Sequence, residues 1–333
     1  MMATPVAPSA KASLSEIQAP IRAHLDQVSV EMARTVSSDL PLVGQVASHL
    51  LAMRGKLFRP TLLILSSATA GEESELAVPI AACLELIHLA TLVHDDAVDH
   101  SALRRGMPTV NSLFTHQISV IMGDFLYSTA LTRLVSLGSM DALHALTRAS
   151  TEMTLGEMRQ LAVTEPLAFT EEEYFQLIRS KTASLVRAAC EIGALVGAKE
   201  YLEQLGTFGE NLGMAFQITD DLIDYTEAKE TTGKPSGLDL HEHKVTLPLI
   251  FALRNASAKN RAEIKKVFAT DDPSEPEIAR VVAIVRESGG FEYAREKGEA
   301  YASKARDALT GLPDSVARTA LESSISYVME RHS

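Results

Sequence analysis

Tryptophan is absent from the 333 residues, and aromatic side chains make up only 5% of them. A cavity walled by ring faces to hold a carbocation has little to be built from. Cysteine is almost as scarce. Cys83 and Cys190 are the two in the chain, each inside an apolar run (AACLEL and RAACEIG) and with no CxxC spacing. The expectation is a pair of buried, reduced thiols in a cytosolic protein. Positive charge is in deficit: 31 Lys and Arg stand against 43 Asp and Glu, for a net charge of −12. Such a surface repels a nucleic-acid backbone, so no nucleic-acid partner is expected. An anionic substrate must then be held by a local basic site or by metal ions. No stretch reaches the uninterrupted apolar length of a membrane span, so no transmembrane segment is expected. The opening MMATPVAPSAKAS carries one lysine and no apolar centre, unlike a secretory signal or an Arg-rich transit peptide. It reads as a disordered tail over 1–13, ahead of one domain over 14–333.

What remains is helical. Hydrophobic residues are 46% of the chain, enough for a large core. Apolar positions recur at helical spacing, as with Ala82, Leu86, Leu89 and Val93, and strand-like alternation is nearly missing. The pattern predicts helices near 14–36, 42–53, from Pro60 onward, 75–100, 109–136, 140–163, 171–197 and 200–227. Shorter ones follow near 244–255, 259–268, 275–287, 290–310 and 314–331. Arg105-Gly106-Met107-Pro108 ends the long helix, and Gly233-Lys234-Pro235-Ser236-Gly237 opens a loop. No linker divides the chain and no solenoid repeat is present. The expected fold class is all-α.

One internal echo carries the chemistry. Asp95-Asp96-Ala-Val-Asp99 and Asp220-Asp221-Leu-Ile-Asp224 both read DDxxD. The first and last aspartates of each are four apart, so they share one helix face. A solvated acidic face is the plain alternative. The flanks weigh against it, because Leu92, Val93, Ala97 and Val98 surround the first cluster and Phe216, Ile218, Leu222 and Ile223 the second. Carboxylates stacked on apolar helices are costly without a partner. Two such clusters imply helices facing each other across a cleft. Oxygen-only ligands suit Mg²⁺, which takes its remaining ligands from water and substrate phosphates.

Basic groups lie where diphosphates would need them. Lys56 and Arg59 are read as one helical edge at a helix start, a ready anion site. Arg104 and Arg105 come about one and a half turns past Asp99. They serve either as phosphate ligands or to neutralise a helix C-terminus. His88, seven residues before Asp95, is read equally as a core residue or a ligand contact. Lys181-Thr182 interrupts the helix 171–197, Lys234 sits in the glycine loop, and Lys244 precedes Val-Thr-Leu-Pro.

With these residues in place the chain resembles the trans-isoprenyl diphosphate synthase (polyprenyl synthetase) family from about Leu14 to Arg331. The matching motifs are GKLFRP, ELIHLATLVHDDAVDHSALRRGMPTVN, GDFLY, GEMRQL, KTASL, MAFQITDDLIDY and GK-x-x-G-x-DL followed by KVTLP. The resemblance implies an isoprenoid-synthase helical bundle around a central cleft, a cytoplasmic homodimer, and Mg²⁺ as cofactor, with three ions when substrate is bound. It implies that Asp95, Asp99 and Asp220 ligate metal, with Asp96, Asp221 and Asp224 in support. Lys56, Arg59, His88 and Arg105 match the isopentenyl diphosphate site. Arg104, Lys181, Thr182, Gln217, Lys234 and Lys244 match the allylic diphosphate site. One departure is His243, where the family often carries Gly before the lysine.

The activity so implied is a prenyl transfer. The allylic C–O bond ionises, dipoles at Lys181, Thr182 and Gln217 face the cation, the isopentenyl double bond attacks, and a proton is lost. A terpene cyclase would show an Asn/Ser/Glu motif in place of the second DDxxD. An inactive partner subunit need not retain both clusters. Ala90 and Thr91, one turn before Asp95, are small, where aromatic residues in the family stop growth at farnesyl or geranylgeranyl length. The expected product is therefore longer, of octaprenyl type. The alternative is a floor at Phe125 or Met122 that stops growth at geranylgeranyl or farnesyl.

Overall fold

The computed structural model describes residues 13–53, 55–71, 74–226 and 237–331. Residues 1–12 of the tail expected over 1–13, and Lys234, therefore lie outside the described residues. Ser13 belongs to the fold: its hydroxyl and the Glu16 carboxylate form a capping box on the turn Leu14–Gln18. The helices that build the site are α1 (Arg22–Thr35), α2 (Pro41–Ala52), α3 (Phe58–Ser67), α4 (Ala77–Val98), α5 (His116–Ser136) and α6 (Met140–Leu161), followed by α7 (Glu171–Ile178), α8 (Ser184–Gly197) and α9 (Leu202–Thr226). The chain continues through α10 (Leu247–Asn255), α11 (Ala258–Phe268), α12 (Glu275–Glu287), α13 (Gly290–Ala308) and α14 (Val316–Glu330).

The bundle is organised around α8. It packs against α3, α6 and α9, and touches α4. Leu185, Val186, Ala189, Cys190 and Ile192 are buried on it, facing Leu62, Leu63 and Leu65 of α3 among others in the same core. A fully buried leucine contributes roughly 1.5–3 kcal/mol, so this layer holds the two aspartate helices, α4 and α9, at a fixed separation. A second apolar cluster joins the C-terminal half of α9 to α10, α12 and α13 through Leu222, Leu247, Val281, Val285 and Phe291. Cys83 and Cys190 are both buried and free, and burial pushes each thiol up to about 12.

The structure corrects three sequence expectations and agrees with a fourth, the break at Lys181-Thr182. The helix read over 14–36 breaks into Leu14–Gln18, a tight turn and α1, because Pro20 lacks an amide hydrogen. The helix read over 109–136 breaks at Phe114, with ψ near −106, into Val110–Leu113 and α5. The run 171–197 is interrupted by a wide turn over Arg179–Ala183, at the Lys181-Thr182 break seen in the sequence. Residues 103–108 form a two-stranded hairpin, Leu103 opposite Pro108 and Arg104 opposite Met107. Arg105 and Gly106 at its tip both have positive φ, 52° and 75°, as the tightest hairpin turns require. The arginines therefore fold back toward α4 instead of continuing its axis.

Among the described residues two helices, α4 and α5, are long and apolar enough by length and composition to cross a membrane, a test that the buried core helix of a bundle also passes. They pack extensively against each other, and α4 buries Ile80, Leu84, Leu86 and Ile87 in the core.

Candidate active site

Asp95 and Asp99 sit at the C-terminal end of α4, where Asp99 caps the helix. Burial pushes the Asp95 carboxyl up to about 6, with Lys181 pulling it down and Glu157 and Asp99 adding to the rise. Asp96 points the other way. It is buried and accepts from Arg104 Nε with both oxygens, at 2.8 and 2.9 Å, so the hairpin is clamped onto α4.

The second cluster is asymmetric in the same sense. Asp221 is buried, and burial drives its carboxyl well above the usual range. Tyr174 donates to Asp221 Oδ2 at 2.5 Å, and Gln217 Nε2 donates to Oδ1 at 2.8 Å. Thr182 in turn donates to Gln217 Oε1 at 2.7 Å, tying the wide turn to α9. Asp220 is exposed and paired with Arg331, whereas Asp224 accepts from the Asp239 amide at 3.2 Å. Burial and Asp224 push Asp239 up to about 7.

Charge links the first cluster to lysines around the second. Asp99, on α4, acts on Lys244, which lies beyond α9 beside Asp239, and Lys181 acts on Asp95. These carboxylates fit a hard divalent cation: every donor is oxygen, and Asp95 and Asp239 are held protonated to higher pH than usual by burial and neighbouring acids. Among the described residues no three His, Cys, Asp or Glu side chains converge tightly enough to hold an ion alone.

Four of the basic residues line two cavities, Lys56 and Arg105 one, Lys181 and Lys244 the other, and Arg59 and Arg104 line neither. One of about 440 Å³ is lined by Gly55, Lys56, Glu85, His88 and Arg105, with Leu89 and Leu92 from α4. Lys56 and Arg59 do not form one helical edge. Leu57 has φ of 49°, so α3 starts at Phe58 and Lys56 lies before it. Arg59 Nη1 donates to His88 Nε2 at 2.9 Å. A guanidinium only donates, so His88 accepts there and carries its proton on Nδ1. Burial and the nearby arginines keep that imidazole neutral. The other cavity, of about 450 Å³, gathers Lys181, Thr182, Gln217, Asp221 and Lys244.

In GK-x-x-G-x-DL the sequence assigns Lys234, whereas it offers GEMRQL as a motif with no residue in it assigned. Glu157 pairs with Lys181 at 2.5 Å and Gln160 accepts from it at 3.0 Å, so this motif aims the lysine. The Glu157/Gln160 spacing, one helical turn, was the available signal. Tyr174 and Arg331 gave none. In GDFLY, Gly123 makes room for His94, since a Cβ there would meet His94 Nε2 at 2.3 Å. His243 adopts φ of 55°, the glycine-like conformation, held by the Thr270 carbonyl at 3.0 Å and by the Phe268 ring edge-on. Lys244 is left paired with Glu242 at 2.6 Å. Ala90 is fully buried and Thr91 half-buried, its hydroxyl donating to the His88 carbonyl at 2.7 Å. Neither lines the two cavities.

Residues 40–285 match the family model described as Polyprenyl synthetase. The chain is 38% identical over 318 residues to an all-trans-nonaprenyl-diphosphate synthase (geranyl-diphosphate specific) of Rhodobacter capsulatus, covering 95% of this chain and 97% of that one. It is 36% identical over 309 residues to heptaprenyl diphosphate synthase component 2 of Geobacillus stearothermophilus, covering 92% and 95%. A crystal structure of a polyprenyl synthase from Caulobacter crescentus CB15, complexed with calcium and isoprenyl diphosphate, superposes with a TM-score of 0.92 at 34% identity over 98% of this chain and 100% of that one.

Proposed function

Because the chain belongs to the polyprenyl synthetase family, we propose that it is a Mg²⁺-dependent transferase that condenses isopentenyl diphosphate with an allylic prenyl diphosphate, repeatedly, to a trans-polyprenyl diphosphate longer than geranylgeranyl. The observation that carries this reading is the pairing of two facing aspartate clusters with two cavities, each lined by its own cations.

Asp95, Asp99 and Asp220 would hold the ions, and Mg²⁺ bound there supplies charge neutralisation and Lewis-acid pull on the leaving diphosphate oxygen. Lys181, aimed by Glu157 and Gln160, and Lys244 take the allylic diphosphate. As its C–O bond breaks, the Thr182 hydroxyl and the Gln217 amide oxygen present fixed dipoles to the carbon that becomes positive. Thr182 and Asp221, the latter held by Tyr174, fix the Gln217 amide in place beforehand, so little reorganisation is needed. Lys56, Arg59 and Arg105, with neutral His88, orient isopentenyl diphosphate so that its double bond attacks that carbon. The new C–C bond forms and a proton leaves to the released diphosphate. No side-chain nucleophile is required.

Small Ala90 and Thr91 and the nonaprenyl and heptaprenyl names of the relatives support a long product. A cytoplasmic homodimer belongs to the same proposal, and exposed Leu103 and Leu113, in the stretch between α4 and α5, with Ile121 on α5, offer apolar surface for a second copy. The deciding assay supplies farnesyl and isopentenyl diphosphates with Mg²⁺ and separates the dephosphorylated products. Diphosphate release with only cyclised hydrocarbon, or none at all from the chain alone, would sink the reading.

A further inference from the structure

Glu85 lies on α4, three residues before His88, about nine-tenths buried, and lines the 440 Å³ cavity. Its Oε2 has no hydrogen-bond partner, and it joins no ion pair among the described residues. Arg59 is a second orphan in the same cluster: Nη1 is spent on His88, and Nε is buried with no partner. Arg105 spends Nη1 on the Met53 carbonyl at 3.0 Å. Gly55 packs over the group, since a Cβ there would lie 3.0 Å from Arg105 Nη1 and 3.3 Å from Glu85 Oε1. The cavity wall thus offers unspent donors on arginine and lysine, and one unspent carboxylate acceptor. A diphosphate answers the donors only, because its ionised oxygens accept. A contact between Glu85 and a phosphate oxygen needs a proton between them, and a buried acceptor left unmet costs about 1–3 kcal/mol.

We propose that Glu85 takes up one proton from solvent when isopentenyl diphosphate enters this cavity and, as a carboxylic acid, donates a hydrogen bond to a phosphate oxygen. The inference rests on assigning this cavity to isopentenyl diphosphate. No bond within the substrate changes. The charged and titratable groups around Glu85 are Lys56, Arg59 and Arg105, with Arg22, Asp26 and His88 on the same cavity. Burial raises the Glu85 carboxyl, against the pull of Arg59 and Arg105. An arriving diphosphate engages those guanidiniums and adds negative charge, both of which favour the acid form further. His88 does not take the proton instead, since burial and three arginines hold it neutral and Arg59 already donates to its Nε2.

The test is calorimetric titration of isopentenyl diphosphate alone, in metal-free buffers of differing protonation enthalpy, into wild type, Glu85→Gln, Glu85→Ala and Arg105→Ala. Wild type should take up about one proton more per ligand than Glu85→Gln. The amide of Glu85→Gln can still donate, so its affinity should stay within about threefold of wild type, while Glu85→Ala should lose about tenfold or more. Equal proton uptake by wild type and Glu85→Gln, or equal weakening by Gln and Ala, overturns the proposal. If Glu85→Ala does not fold, the proton count in wild type and Glu85→Gln decides alone. Arg105→Ala separates the layers. If it leaves affinity unchanged, the cavity assignment fails; if it weakens binding while the proton count is insensitive to Glu85→Gln, only the role of Glu85 fails.

Discussion

Arg331, at the end of α14, donates from Nη2 to Asp220 Oδ1 at 2.9 Å and to the Phe216 carbonyl at 3.0 Å, with its guanidinium 3.8 Å from the Phe216 ring centre. The C-terminal helix therefore ends on the second aspartate cluster. A guanidinium and a metal ion compete for that carboxylate. Arg331→Gln should lower the Mg²⁺ concentration for half-maximal turnover about two- to fivefold, because an ion pair with a half-exposed aspartate is worth only about 0–1 kcal/mol. Metal titrations of turnover check this; an unchanged or higher requirement would contradict it.

Asp95 makes a pH prediction. Its carboxyl titrates near 6 in the folded, ion-free protein, against a usual 3.8, with burial as the main cause. Between those values the folded state holds the proton more firmly than the unfolded one. Stability therefore falls as pH rises from about 4 to about 6, by at most about 3 kcal/mol, and stays lowered above. Asp95→Asn removes that cost. Chelated Asp95→Asn should be more stable than wild type above pH 6, with the two melting curves converging toward pH 4, and its turnover should drop by orders of magnitude. A stability difference independent of pH would refute the burial argument.

Tyr174→Phe should cost about 1–3 kcal/mol by leaving Asp221 Oδ2 unmet in the core. Because Asp221 also receives Gln217, the loss should raise KM for the allylic substrate and leave KM for isopentenyl diphosphate unchanged. Urea unfolding together with two-substrate kinetics reads both effects.

The helices, both aspartate clusters and the break at Lys181-Thr182 were legible because each leaves a local mark: apolar spacing, a repeated motif, a polar pair in an apolar run. The hairpin at Arg104–Met107 was not, because two residues per strand leave no alternation to read. Tyr174 and Arg331 were also invisible, since their partners lie 47 and 111 residues away. Lys56 was misplaced onto a helix for a different reason: a leucine with positive φ is unusual, and only packing compels Leu57 to adopt it.

Lys56→Ala and Lys181→Ala test the two-cavity map. Each removes one charge-assisted contact, worth about 1.5–3 kcal/mol to the diphosphate it holds. Lys56→Ala should raise KM for isopentenyl diphosphate alone. Lys181→Ala should raise KM for the allylic partner or lower kcat. Equal effects of both variants on both substrates would dissolve the map.

Ala90→Phe should shorten the product. Ala90 sits five residues before Asp95 on α4, fully buried in the core that also holds Met122 and Leu126 of α5. A tail growing away from the diphosphates must pass down the inside of the bundle. A phenyl ring at this position fills that route one turn below the metal cluster. The ring also overpacks the core, at about 1–3 kcal/mol, so melting of the variant must show it folded before its products are compared. Wild type should give products longer than geranylgeranyl from farnesyl and excess isopentenyl diphosphate, and Ala90→Phe shorter ones. Met122→Ala supplies the opposite test, because removing a buried side chain from the facing helix should lengthen the product if α5 forms the floor. A wild-type product no longer than geranylgeranyl would end the long-chain proposal. An unchanged distribution in a folded Ala90→Phe would mean that the tail does not pass between α4 and α5 at this level.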